Sequence, residues 1–306
     1  MIELRNVSRL VDGKALVADL SFDVAAGQFC ALVGPSGSGK STTLRLINRL
    51  APLSGGTIRV DGADIAALDP EALRRSIGYV IQSIGLFPHW TVADNIATVP
   101  RLLKWPAPRI EARVRELIEL LRLDAEVARK YPHQLSGGQQ QRVGVARALA
   151  ADPRVLLMDE PFGALDPLTR AALQDEIAGI HHRLGKTILF VTHDIDEALR
   201  LADVVAILDG GRLAQFGTPL EILDRPASPF VRQFIGQSEI GLRRLALERV
   251  ADHVWRETGV GGEPIPGAMS LREALAEMLA RKTDRLPVRD ADGAILGSIS
   301  LRDLIG

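Results

Sequence analysis

The sequence predicts an α/β fold, in which helices cover both faces of a mainly parallel sheet and a smaller α+β unit follows. Three observations lead there. Runs such as Ala31-Leu32-Val33, Val155-Leu156-Leu157-Met158, Thr187-Ile188-Leu189-Phe190-Val191 and Val204-Val205-Ala206-Ile207-Leu208 are almost continuously apolar, as strands buried on both faces are. Helical patterns over 110–123, 139–150 and 167–184 alternate with them. The length, 306 residues, exceeds what one core usually organises.

Taken in order, residues 4–22 and Ile58-Arg59-Val60-Asp61-Gly62 alternate apolar and polar positions between turn residues, which predicts an antiparallel flank. A helical run over 42–50 follows a glycine-rich loop, and residues from about 83 to 150 form a mainly helical insert. The large unit is expected over 1–236. A helix over 240–257 and the glycine- and proline-rich stretch 259–267 then make a connection spanning 237–266. The last unit, 267–306, reads as a helix capped by Ser270, a strand at Leu286-Pro287-Val288, a turn at Asp290-Ala291-Asp292-Gly293, a strand over 294–300 and a final helix near Arg302.

Composition narrows the function. With 37 basic and 38 acidic residues the net charge is -1, so no overall field draws the chain to nucleic acid or anionic lipid, and no nucleic-acid partner is expected. Cys30 is the single cysteine, which excludes an internal disulfide and fits a reducing compartment. The start, Met1-Ile2-Glu3-Leu4-Arg5, lacks the features of a signal peptide, and no stretch approaches the apolar length of a membrane span. A cytoplasmic protein attached to a membrane through a partner is the expectation.

Gly34-Pro35-Ser36-Gly37-Ser38-Gly39-Lys40-Ser41 fits the phosphate-binding loop, and it stands between an apolar strand and a helical run that opens at Thr42. Its glycines let backbone N–H groups face an anion, Lys40 brings a cation to the β and γ oxygens, and the Ser41 hydroxyl can ligate Mg²⁺. A glycine-rich turn that merely opens a helix is the competing reading. Asp159-Glu160 ends an apolar strand at the sheet edge where ligands bind in open α/β folds. There Asp159 suits the metal and Glu160 suits a general base that takes a proton from water; a solvated strand end is the alternative. Leu135-Ser136-Gly137-Gly138-Gln139 makes a second polar, glycine-rich helix start suited to an anion.

These three motifs together resemble the nucleotide-binding cassette of ABC transporters. The resemblance implies ATP and Mg²⁺, and a head-to-tail homodimer in which Ser136, Gly137, Gly138 and Gln139 of one protomer close over ATP held by the other's phosphate loop. It further implies that Gln82 reaches the metal and the attacking water, that Ala164-Leu165-Asp166 crosses the dimer interface, and that His193 touches the γ-phosphate. For His193 alone, a strand-end histidine satisfied by its neighbours fits as well. Where many members stack an aromatic ring on adenine, this sequence has Val11, which offers apolar contact without a π-face.

Within the family, Gln82-Ser83-Ile84-Gly85-Leu86-Phe87-Pro88-His89, the stretch from Tyr131 to Ala150, and Thr192-His193-Asp194-Ile195-Asp196-Glu197-Ala198-Leu199 are similar to ATPase subunits of bacterial importers for quaternary-amine osmoprotectants such as glycine betaine and choline. The partners implied are integral membrane permease subunits and a separate substrate-binding protein. Leu86, Phe87, Pro88 and Trp90 offer an apolar socket for a permease helix, or else pack within the helical insert. The tail, through Gly297-Ser298-Ile299-Ser300-Leu301-Arg302-Asp303, resembles one CBS repeat, read either as a regulatory module pairing with its copy on the other protomer or as a stabilising remnant. An importer ATPase for another solute, a soluble ABC ATPase, and a nucleotide-binding regulator that switches without turnover stand as alternatives.

Overall fold

The computed structural model of the chain describes residues 1–163, 165–255 and 260–305. It divides into two units, one ending at Thr218 and the other starting at Pro219.

The first unit opens with β1 (Ile2–Val11) and β2 (Lys14–Val24), joined through Asp12 and Gly13, both at positive φ (50° and 76°), the turn that suits the twist of a tight hairpin. After β3 (Phe29–Val33) and α1 (Lys40–Ile47) come β4 (Gly55–Val60), β5 (Ala63–Asp64), α2 (Pro70–Ser76) and β6 (Ile77–Val80). The helical insert holds α3 (Val92–Ile96), α4 (Thr98–Leu102), α5 (Ala107–Leu120) and α6 (Gly137–Leu149). The unit closes with β7 (Val155–Asp159), α7 (Pro167–Leu184), β8 (Thr187–Val191), α8 (Ile195–Leu201), β9 (Val204–Asp209) and β10 (Arg212–Gly217).

The strands form an antiparallel sheet in the order β2-β1-β4-β5 and a six-stranded sheet in the order β10-β9-β3-β8-β7-β6, parallel except for β10. Leu4, Leu20 and Phe22 of the first sheet pack with Leu44, Ile47, Leu157 and Leu189 in one core. In β3, β7 and β8 every residue is buried, which explains their unbroken apolar runs. The order has a functional consequence. Because β3, β8, β7 and β6 are neighbours and parallel, their carboxyl ends emerge side by side, and the register sets Asp159 level with Val191.

The second unit contains α9 (Pro219–Asp224), α10 (Pro229–Phe234), α11 (Ile240–Leu247), a 3₁₀ turn at Val250–His253, β11 (Ile265–Pro266), α12 (Leu271–Arg281), β12 (Arg285–Arg289), β13 (Ile295–Ser300) and α13 (Leu301–Ile305). Its core is Val250, Ile265, Leu271, Ala274, Met278, Leu286, Val288, Ile299 and Leu304. Three expectations differ. The division falls at Thr218, not near Gly236, because α9 and α10 belong to the second unit. The helix expected over 240–257 ends at Leu247, and its expected end at Glu257 lies outside the described residues. Within the stretch read as linker, Ile265 and Pro266 form a strand parallel to β12, with Ile265 in the core; Gly259 lies outside the described residues.

Candidate functional site

The loop from Gly34 to Gly39 leaves β3 and enters α1. Gly34 sits at φ 151°, and a Cβ there would lie 2.3 Å from the Leu208 carbonyl oxygen, so no other residue fits without moving β9. Pro35, Ser36 and Gly37 are exposed at the crest, while Ser38, Gly39 and Lys40 are buried and Thr42 is half-buried. Lys40 Nζ donates to the carbonyls of Gly34 (2.7 Å) and Pro35 (2.9 Å), which holds its charge inside the loop. Burial lowers the Lys40 pKa, opposed by the nearby carboxylates of Glu160 and Asp159.

Two features suit this loop to a phosphate. No side chain caps α1, whereas Ser136, Asp166 and Asp194 cap α6, α7 and α8, so the first N–H groups of α1 keep their donors for another acceptor. Ser38 Oγ is buried without a hydrogen-bond partner, a polar atom aimed into a polar loop.

Next to the loop, Ser41 Oγ donates to Asp159 Oδ1 at 2.8 Å. Asp159 is almost wholly buried, and that burial raises its pKa; the Ser41 hydrogen bond acts against the rise, and the charge of Glu160 adds to it. A hydroxyl in contact with a buried carboxylate is a donor set that fits a hard cation such as Mg²⁺, and these two residues could hold one there. Glu160 follows with φ 46°, a left-handed backbone that costs a non-glycine residue about 1 kcal/mol, and its N–H is held by the Val191 carbonyl at 3.0 Å. That backbone turns the side chain toward two neighbours. Gln82 Nε2 donates to Glu160 Oε2 at 2.9 Å, and His193 Nδ1 lies 3.5 Å from the same oxygen.

Gln82 from the end of β6, Asp159 and Glu160 from β7, His193 from β8 and Ser41 from α1 therefore converge, although they span most of the first unit's sequence. Ser136, Gly137, Gly138 and Gln139 belong to a different cluster. Ser136 and Gln139 cap α6 reciprocally, with Ser136 Oγ accepting from Gln139 N at 3.3 Å and Gln139 Oε1 accepting from Ser136 N at 3.1 Å. Gly138 lies against α7, where an added Cβ would meet Thr169 Cγ2 at 2.4 Å. Asp166 caps α7 by accepting from Leu168 N and Thr169 N, and its bonds to Thr169 lower its pKa. Ala164, in the same expected interface loop, lies outside the described residues. Val11 ends β1, half-buried on the hairpin whose β2 strand lays Leu16 over Gly39.

Two supports escaped the sequence reading. Arg147 of α6 donates to the carbonyls of Ile84 (2.8 Å) and Gly85 (2.6 Å), tying the loop after Gln82 to the helix that Ser136 starts. Asn95, fully buried, holds the next part of that loop at Phe87, Trp90 and Thr91. Polarity at a buried helical position, Asn95 in Val92–Ile96, is the one local signal that pointed to it.

A phosphate loop at the end of a central parallel strand, beside an acidic strand end, defines a P-loop nucleotide-binding protein. Residues 17–163 match the family described as ABC transporter, and residues 264–306 match the family described as CBS domain. The chain belongs to the ABC transporter family, as an ATPase subunit with a CBS tail. It is 56% identical over 305 residues to the glycine betaine uptake system ATP-binding protein YehX of Escherichia coli (strain K12), covering 100% of this chain and 99% of that one. It is 47% identical over 302 residues to the glycine betaine/carnitine/choline transport ATP-binding protein OpuCA of Bacillus subtilis (strain 168), covering 98% of this chain and 78% of that one. Among solved structures it resembles the dimeric post-hydrolysis ATP-binding cassette MJ0796 bound to ADP and Pi, with TM-score 0.65 and 32% identity over 72% of this chain and 99% of that one. No described helix is long and apolar enough to cross a membrane.

Proposed function

We propose that this chain hydrolyses ATP to drive import of quaternary-amine osmoprotectants such as glycine betaine or choline. One observation carries the hydrolytic part: Gln82 and His193 both address the same Glu160 oxygen, one strand end away from the Ser41–Asp159 pair. Lys40 and the uncapped N–H groups of α1 hold the β and γ phosphates, and Ser41 and Asp159 would hold Mg²⁺, which when bound would supply positive charge against the phosphates. Water, oriented by Gln82, attacks the γ-phosphorus as the bond to the bridging oxygen breaks; ADP leaves, and Glu160 takes the proton of the water. His193 donates to the transferred phosphoryl group.

Ser136 and Gln139 bond to each other and Asp166 bonds to Leu168 and Thr169 at their own helix starts, which agrees with a head-to-tail homodimer in which each protomer completes its partner's site. The substrate class rests on relatives that share the whole chain, the tail included. Permease subunits in the membrane and a substrate-binding protein complete the assembly, with this subunit on the cytoplasmic face.

Glu160→Gln tests the chemistry: turnover falls at least 100-fold, and an ATP-bound dimer persists in size-exclusion chromatography. Turnover within a few fold of the parent protein refutes the role of Glu160. Deleting the gene abolishes uptake of labelled glycine betaine or choline; unchanged uptake of every quaternary amine tried refutes the substrate.

A further inference from the structure

Behind the strand end that carries His193 lies a buried polar cluster to whose members, Thr192 and Glu197 among them, neither the sequence motifs nor the proposed function assigns a role. Thr192 Oγ1 donates to Glu197 Oε2 at 2.6 Å, and Gln174 Nε2 donates to Glu197 Oε1 at 3.2 Å. Arg200 Nη1 in turn donates to Gln174 Oε1 at 3.2 Å while Arg200 Nη2 pairs with Asp175, and Arg170 Nε stands 4.0 Å from Glu197 Oε1. Thr192, Gln174 and Glu197 are 2%, 5% and 7% exposed.

The same Thr192 hydroxyl accepts from Asp194 N at 3.0 Å, so the residues before and after His193 are both tied to one oxygen atom. On its far side the cluster reaches the loop that carries Asp166, because Arg170 Nη2 donates to the Leu165 carbonyl at 3.2 Å. Burial raises the Glu197 pKa; the Thr192 hydrogen bond and the charges of Arg170 and His193 oppose the rise, and Asp194 adds to it. A buried carboxylate costs several kcal/mol before its hydrogen bonds offset it, and apolar side chains would fill such a space at lower cost. What it supplies instead is a fixed geometry.

We propose that Glu197 is a positioning residue for hydrolysis: by holding the Thr192 hydroxyl it sets the backbone on both sides of His193, and with it the approach of His193 to Glu160. Through Arg170 it links that approach to the loop bearing Asp166. The proposal rests on the reading of His193 and Glu160 given above.

The test uses the full chain assembled with its permease, with ATPase rates normalised to titrated nucleotide-binding sites. Glu197→Gln and the near-isosteric Thr192→Val are each made alone and with His193→Ala, and Thr192→Ser keeps the hydroxyl. Glu197→Gln and Thr192→Val lower kcat about tenfold and leave KM for ATP within about twofold. Thr192→Ser restores kcat, and in the His193→Ala background neither change slows turnover further. An unchanged kcat in either variant, a loss that Thr192→Ser does not restore, or losses that multiply with a slow His193→Ala would each overturn the role of Glu197 alone. Full turnover in His193→Ala by itself removes the underlying reading of the site as well. If Glu197→Gln does not fold, Thr192→Val carries the same comparison.

Discussion

Replacing Asn95 by alanine should destabilise the first unit by an amount that follows from its contacts. The side chain is fully buried; Oδ1 accepts from Phe87 N at 2.7 Å, and Nδ2 faces the carbonyls of Phe87 (3.1 Å), Trp90 (3.2 Å) and Thr91 (3.0 Å). Two amide hydrogens serve three carbonyls, so the side chain supplies roughly three hydrogen bonds at about 1 kcal/mol each. The vacated volume adds to this, for a total of about 3 to 4 kcal/mol. In a unit of this size each 1 kcal/mol moves Tm by about 2–4 °C, so thermal unfolding should shift down by about 6–16 °C. Phe87 and Trp90, in tilted contact with ring centroids 4.6 Å apart, are 44% and 40% exposed on this loop, and limited proteolysis there should accelerate. Asn95→Asp separates the causes. It keeps the size and the acceptor for Phe87 N but sets an oxygen against three carbonyls, so it should destabilise as much as alanine does. A Tm change under about 2 °C with parent-like protease resistance refutes the account, and a harmless Asn95→Asp refutes its hydrogen-bond part.

Asp159→Asn tests the metal pair through pH. Because burial raises the Asp159 pKa above its ordinary 3.8, ionisation costs stability: the favourable protonated state is complete below 3.8 and is lost as pH rises through the raised value. Without nucleotide, Asp159→Asn should therefore unfold at a higher temperature than the parent at pH 7.5, with the gap closing near pH 3.8; with ATP and Mg²⁺ the order at pH 7.5 should reverse. A gap independent of pH contradicts the assignment of the cost to charge. If Val11 is the base contact, Val11→Tyr adds a π-face there and should lower the apparent KM for ATP by roughly threefold, within the 0.5–1.5 kcal/mol of an aromatic contact. A steady-state titration with an unchanged or raised KM counts against Val11 as the base contact.

What the sequence revealed and concealed divides along the range of the interactions involved. The loop at Gly34–Ser41, the Asp159-Glu160 strand end and the Ser136 helix start are local patterns whose chemistry sits in consecutive residues. The parallel sheet was legible too, because double burial of β3, β7 and β8 leaves no polar alternation. Arg147 bonds to backbone 62 and 63 residues away and Glu197 joins Thr192 to Gln174, 23 residues back, so nothing near them announces these partners; Asn95 reaches only four to eight residues back, but the burial that gives those bonds their weight is set by the fold. In the tail, Ile265–Pro266 was hidden as a strand because its only ladder lies on one side, where a proline is tolerated, and glycines surround it. After Ile240 the sequence predicts a longer helix than forms, because no glycine or proline breaks the pattern between Gly241 and Gly259; the chain leaves the helix at Glu248, whose backbone is extended.

The left-handed backbone at Glu160 also bears on how this protein would respond to selection. Glycine would relieve that φ of 46°, and asparagine would tolerate it better than glutamate does, so either replacement favours the folded chain while removing the carboxylate. A library sorted for heat resistance alone would thus drift toward inert sequences at this position. Only a screen that scores growth on an imported solute would retain the acid, and the frequency of glutamate recovered under the two regimes would measure how much stability the residue withholds.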